Sequence, residues 1–370
     1  MHIGVFSTQL GTLGGPSVVD LQSLQRLSTL DRRNTYTIYE VTRGSTAGLK
    51  LGDNFRVQAL KPLGKWPSVA FGMTRELHQR PVDLLHATFV PPLILPPRFV
   101  VTMTCWSQFS EPEVYPPLIR WRLQFLLNRG VPRAAAVLCY TNYLKEKVME
   151  HFHLESDRVF VTRPGIGEEI KRVDDDAELK QFLEGLGITR PYILFIGSLT
   201  KRKNVPRLIE AYHRLVHEAA IDHQLVLVGE TLFLADEIFH TIKRLKLENR
   251  IVLTGRRPHA ELPALYSGAD LFVFPTLSEG FGLPPLEAQA CGTPVAAARV
   301  SSVPEVVGDA AVMFDPYDID DMAGAILRGI SNTDSRCDLV QRGLRNATRF
   351  SWHHMANELM GAYEAVHAAR

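Results

Sequence analysis

The sequence predicts an α/β chain built from two parallel-sheet units, and three observations carry that expectation. Short apolar runs alternate with helix-patterned stretches from residue 2 onward, which is how strands and crossover helices read in a parallel sheet. An acidic tract at 168–178 interrupts the alternation, and Tyr192 starts it again. At 370 residues the chain is long enough to give each half its own core.

In the first half, strands are expected over 2–7, 35–41, 56–60, 82–86, 99–104, 135–140 and 159–162. A helix starts near Pro16, where Leu21, Leu24, Leu27 and Leu30 recur at helical spacing, and others are expected over 69–79 and 143–152. Gly11, Gly14 and Gly15 lie between the first strand and its helix, a place that suits a phosphate or acceptor cradle as well as a plain flexible loop. His86 and Thr104 end strands, where an open α/β sheet binds its ligands. The stretch 118–127 mixes apolar bulk with Arg120 and Arg122, and Arg129 follows. It reads as a sheet-covering helix with arginines on its wet side; the alternative is a helix that meets a membrane surface or a lipid-linked acceptor.

The second half continues with strands over 192–197, 225–229, 251–255, 271–274, 294–298 and 311–314, and with helices over 319–330, 336–349 and from Trp352 to 365. Two of its loops carry chemistry. After the strand at 192, Lys201, Arg202 and Lys203 crowd one turn, where they repel one another unless an anion sits among them. After the strand at 271, Glu279 lies in the loop and Glu287 just inside the helix opened by Pro284 and Pro285. A carboxylate offers two acceptor oxygens at the spacing of a sugar diol. Gly280 and Gly282 let backbone approach a ligand, and the helix start offers N–H groups to an anion. A sugar carrying a phosphate satisfies all three features.

Glu279-x7-Glu287 around Gly280-Phe281-Gly282-Leu283-Pro284, followed by Cys291-Gly292-Thr293-Pro294-Val295, resembles the donor-site signature of family 4 glycosyltransferases. These are retaining enzymes of GT-B fold that use nucleotide sugars. The resemblance implies two Rossmann-like domains facing across a cleft, with the terminal helix crossing back to the first. It assigns 1–170 with 352–370 to an acceptor domain and 171–350 to a donor domain.

By the same resemblance Glu279 contacts the donor sugar and Glu287 the ribose hydroxyls, with Gly280, Phe281, Gly282 and Leu283 lining the donor. Gly14 and Gly15 cover its phosphates. Gly197-x4-Arg202-Lys203-Asn204 resembles the diphosphate-binding turn, with Ser198 where many members have arginine, so the charge falls on Arg202 and Lys203. Together with Glu279 these form the expected catalytic set. Arg256 lies near the nucleobase. His86 and Thr104 are weaker expectations for the acceptor or sugar cleft; Thr104-Cys105 stands where mannosyltransferase-like sequences often read His-Asp.

Two Asp-x-Asp triplets, 174–176 and 318–320, read as linker and helix start rather than metal ligands. No metal and no cofactor are expected beyond the nucleotide-sugar substrate. A net charge of +1 gives no reason to expect nucleic acid as a partner. Scattered Cys105, Cys139, Cys291 and Cys337 suit a reducing cytoplasm, with peripheral contact at the inner membrane face as an addition. The start reads as a strand rather than a signal peptide, and the apolar region 90–103 is broken by four prolines and Arg98.

The sequence therefore reads as a metal-independent hexosyltransferase, with mannose from GDP-mannose as first donor and a glycan or lipid-linked acceptor. The rivals are a UDP-hexose enzyme, a nucleotide-sugar epimerase of GT-B shape and a degenerate nucleotide-sugar-binding protein.

Overall fold

A computed structural model describes residues 1–12, 14–218, 221–230, 236–331 and 333–369. The chain forms two compact units, one of Met1–Gly165 with Ser351–Arg370 and one of Ile166–Phe350.

The first unit holds a seven-stranded sheet in the order β3-β2-β1-β4-β5-β6-β7. Its strands are β1 His2–Ser7, β2 Thr35–Glu40, β3 Phe55–Ala59, β4 Leu84–Thr88, β5 Phe99–Met103, β6 Ala136–Cys139 and β7 Val159–Val161. All are paired in parallel. The central strands are buried along their whole length, as expected when helices cover both faces. β4 lies two residues beyond its expected span, because its register is set by β1, from Ile3 opposite Leu84 to Ser7 opposite Thr88. The expected helix over 69–79 divides into a π-helical turn, Ser68–Gly72, and an α-helix, Met73–Gln79. The terminal helix Trp352–Ala368 is anchored in this unit: Glu358 accepts from the Arg163 backbone N–H and from its guanidinium, both at 2.6 Å.

The second unit holds a six-stranded parallel sheet in the order β10-β9-β8-β11-β12-β13. The strands are β8 Tyr192–Ile196, β9 Gln224–Val228, β10 Ile251–Gly255, β11 Leu271–Phe274, β12 Val295–Ala298 and β13 Val312–Phe314. Buried Ile, Leu, Val and Phe on both sheet faces pack under the flanking helices. Gly229 at the end of β9 admits no side chain, since a Cβ there would stand 1.9 Å from the Gly197 carbonyl oxygen. The order of strands reverses between β8 and β11, so the carboxyl ends of these two neighbours open a crevice at the switch point.

Both Asp-x-Asp triplets cap helices. Asp175 accepts from the N–H groups of Ala177 and Glu178, and Asp318 from those of Asp320 and Asp321. Among the described residues no group of three or more His, Cys, Asp or Glu side chains is placed to hold a metal ion.

Candidate donor site

The two loops singled out in the second half meet at the β8/β11 switch point. After β8 a 3-10 turn, Lys201–Lys203, ends at Asn204, whose backbone is left-handed with φ 57°. Its side-chain amide donates to the carbonyls of Pro275 and Pro316 at 3.1 and 2.8 Å, tying the turn to the loop after β11. The Leu277 N–H donates to the Arg202 carbonyl at 2.9 Å, and Arg202 Nη1 donates to the Ser278 carbonyl at 2.6 Å. From the other side, Ser302 Oγ donates to the carbonyl of Glu279 at 2.9 Å, and the Glu279 N–H donates to Ser301 Oγ at 2.9 Å. The loop is thus pinned from both neighbouring turns.

Pinning the backbone fixes the carboxylate. One oxygen, Oε1 of Glu279, takes Lys203 Nζ at 2.5 Å, Arg202 Nη1 at 2.6 Å and the Thr276 hydroxyl at 3.0 Å. Glu279 is buried, which would raise its pKa, but the Arg202 and Lys203 charges outweigh burial and hold it at about 2. Burial pulls the Lys203 pKa down, and the ammonium also sits 4.7 Å above the Phe274 ring. One carboxylate between two cations leaves the cluster one positive charge in excess, an electrostatic preference for an added anion. Lys201, the third cation of the turn, is exposed.

Gly282 precedes the helix Leu283–Ala290 with φ 98°, a conformation that favours glycine, and the prolines follow in the first turn. The helix carries Glu287 one turn further in, buried at 8% exposure. Tyr266, wholly buried, donates its hydroxyl to Glu287 Oε2 at 2.8 Å. His259 Nε2 stands 3.7 Å from Oε1 of the same carboxylate, and Nδ1 3.9 Å from Glu169. The Glu287 carboxylate raises the His259 pKa, against the effect of partial burial.

The structure brings Arg202, Lys203 and Glu279 into one cluster, sets Gly280, Phe281, Gly282 and Leu283 on the same loop, and places Glu287 on the helix that follows. Ser198 is half-buried after β8, and Arg256 is exposed after β10. Sequence reasoning missed Asn204 as the tie between loops, Ser301 and Ser302 as the far pins, and Tyr266 and His259 as partners of Glu287. An asparagine closing a basic turn is a signal for a left-handed residue; the other four give no local sign.

The remaining candidates belong to the other unit. Gly14 caps the helix Gly15–Leu30 with φ 143°, so that helix begins one residue before Pro16. Thr104 is buried just after β5. His86 is 7% exposed, with Nδ1 on the Tyr363 hydroxyl and Nε2 on Thr102 Oγ1, each at 2.7 Å. Burial lowers its pKa to about 4. It lines a small pocket with Ser7, Asp20 and Tyr140, and both ring nitrogens are engaged within the unit.

Residues 177–346 match the family "Glycosyl transferases group 1". The chain is 32% identical over 271 residues to O-antigen chain mannosyltransferase B of Escherichia coli, covering 73% of this chain and 71% of that protein. It is also 32% identical over 242 residues to the serotype-specific mannosyltransferase WbdA of Escherichia coli, covering 63% of this chain and 29% of WbdA. In structure it resembles sucrose-phosphate synthase from Thermosynechococcus elongatus, with a TM-score of 0.82 at 18% identity over the full length of both chains.

Proposed function

The chain belongs to the group 1 glycosyltransferases, and on that premise we propose that it moves mannose from GDP-mannose to a glycan or lipid-linked acceptor, with retention of the anomeric configuration. The reading gives the second unit the donor and the first unit the acceptor, and includes peripheral contact of the protein with a membrane surface. The observation that carries it is the buried Arg202–Glu279–Lys203 cluster with its excess positive charge at the switch point.

When the bond from the anomeric carbon to the diphosphate breaks, negative charge grows on the leaving phosphate. Arg202 and Lys203 are already in place to meet it, so little reorganisation is needed as charge develops. The two cations supply this charge themselves, which makes the reading a metal-independent one. Glu279 holds them at fixed positions while its carboxylate remains beside the donor sugar. Glu287, set by Tyr266, accepts from the ribose hydroxyls.

Mannose is favoured because the two curated relatives described above are mannosyltransferases. A UDP-hexose is the rival donor. The test is release of GDP or UDP from a panel of nucleotide sugars with mixed glycan acceptors, against Glu287→Ala. Release from GDP-mannose alone, lost in the variant, supports the reading. Release from a UDP-sugar transfers the assignment to that donor, and donor binding with no release from any donor or acceptor overturns it.

A further inference from the structure

The first unit carries an exposed apolar face that its core does not use. In the helix Pro117–Gly130, Leu123, Leu126, Leu127 and Gly130 pack inward, as the sheet-covering reading expects. The outward face is different from that reading. Leu118, Trp121 and Phe125 recur at helical spacing and stay 58%, 61% and 45% exposed, with the Trp121 and Phe125 rings stacked on each other. Arg122 and Arg129 share that stripe.

Neighbouring segments extend the face. Arg122 lies 5.2 Å over the half-exposed Trp66 ring, and Leu63 and Phe71 beside it in sequence are exposed, Phe71 at 68%. The Leu93 N–H donates to the Val69 carbonyl at 2.8 Å, and Pro91 packs against Gly130, which joins the 90–98 loop with its exposed Ile94 to the other two segments. Apolar side chains exposed together over several elements mark a contact surface.

The charge of this face identifies what it meets. Stretches 60–73, 90–98 and 117–130 contain Lys61, Lys65, Arg98, Arg120, Arg122 and Arg129 and no acid, in a chain whose cations and anions otherwise nearly balance; Glu111 and Glu113 lie just before the helix. Among the described residues neither Arg120, Arg122 nor Arg129 forms an ion pair, so these charges are not neutralised internally. Tryptophan and phenylalanine flanked by arginine suit the headgroup layer of a bilayer, where rings enter the interface and guanidinium groups meet lipid phosphates. Among the described residues no helix is long and apolar enough to cross a membrane, so the contact is one of lying on the surface.

We propose that the Leu118, Trp121 and Phe125 face, with Trp66 and Phe71, docks this protein on an anionic phospholipid surface. The proposal rests on the membrane-contact part of the functional reading and is independent of the donor. The test is co-sedimentation of the full chain with vesicles of neutral phosphatidylcholine, with and without 30% phosphatidylglycerol as a chosen probe composition, at low and high salt. Tryptophan fluorescence is read in parallel.

Binding is expected only with the anionic vesicles, weakened by salt. A blue shift is expected from Trp66 and Trp121, since Trp106 and Trp352 are already buried. Trp121→Glu with Phe125→Glu should lose binding by more than about tenfold, and Arg122→Gln with Arg129→Gln about fivefold per charge. Phe239→Glu, an exposed site in the other unit, should leave binding unchanged. Nucleotide release from soluble donor in each variant separates a lost docking face from a lost fold or a failed enzyme assignment. Equal binding to neutral vesicles, unchanged binding in the double variant, or a dimer in solution that the double variant dissociates would each overturn the proposal.

Discussion

The hydroxyl of Tyr266 donates to Oε2 of Glu287 at 2.8 Å, deep beneath the helix that carries the carboxylate. If that carboxylate accepts from a ribose diol, as proposed, one of its edges must be held, and the phenol holds it without adding charge. Tyr266→Phe keeps the packing and removes that hold. The expected result is a donor KM raised up to about tenfold with kcat little changed, since the lost contact is made equally in ground and transition states. A fall in kcat at unchanged KM would contradict this role.

Removing the carboxylate itself costs more. Loss of a charged hydrogen bond is worth about 1.5–3 kcal/mol, so Glu287→Ala should weaken donor binding roughly ten- to a hundredfold. Titration calorimetry with GDP-mannose measures this, and an unchanged affinity would remove Glu287 from the donor site.

In the proposed donor site, His259 makes donor binding depend on pH. Its pKa is raised by Glu287, so as pH falls through that raised value the imidazolium forms and pairs with the carboxylate proposed to hold the ribose. Donor KM should rise on the acid side in the wild type, and His259→Gln should flatten the acid limb. A limb identical in both proteins would assign the titration elsewhere.

Glu279→Gln leaves two cations facing each other in a buried site. Breaking one partner out of a buried ion cluster costs about 3–5 kcal/mol, so both thermal stability and turnover should fall. Because Glu279 is held at about 2, the stability its pairing provides is present above the ordinary carboxylate range and lost only as pH falls towards that value. Acid unfolding curves of wild type and variant should therefore converge at low pH.

The pocket of the first unit holds two groups with opposed pH behaviour. His86 is held at about 4 by burial, below its ordinary 6.5, so its contribution to stability is complete above 6.5 and lost as pH falls through 4. Burial raises Asp20 to about 7 from 3.8, against hydrogen bonds from Ser7 and Thr88, so its contribution is complete below 3.8 and lost as pH rises through 7. Between about 4 and 6.5 the two slopes oppose each other. Asp20→Asn should unmask a melting temperature that climbs with pH by several degrees, and His86→Gln the reverse. Parallel profiles for the three proteins would refute this balance.

The strands were legible because buried parallel strands read as dense Val, Ile, Leu and Phe runs, as in 192–196 and 271–274. The end of β4 was not, because Ala87 and Thr88 are drawn into the strand by pairing with β1, opposite Phe6 and Ser7, rather than by an apolar run of their own. Local sequence also revealed the acid and basic loops that meet at the β8/β11 switch point, since charge and glycine crowd into a few residues there. It could not reveal Tyr266, which lies 21 residues before Glu287 and meets it only through the packing of one helix on another. Nor could it place His86, whose partner Tyr363 is 277 residues away. The outward stripe of Leu118, Trp121 and Phe125 was not read from the sequence, where the wet side was assigned to arginines, because the side facing the core is decided by the packing of Leu123, Leu126 and Leu127.

If the Arg202–Glu279–Lys203 cluster is a diphosphate seat, titration of GDP against GMP and guanosine shows it directly. Wild-type protein should bind GDP at least about tenfold more tightly than GMP, an advantage that Lys203→Gln and the more exposed Arg202→Gln should each reduce. Equal affinities for GDP and GMP in the wild type, or an advantage that survives in both folded variants, would contradict the central claim.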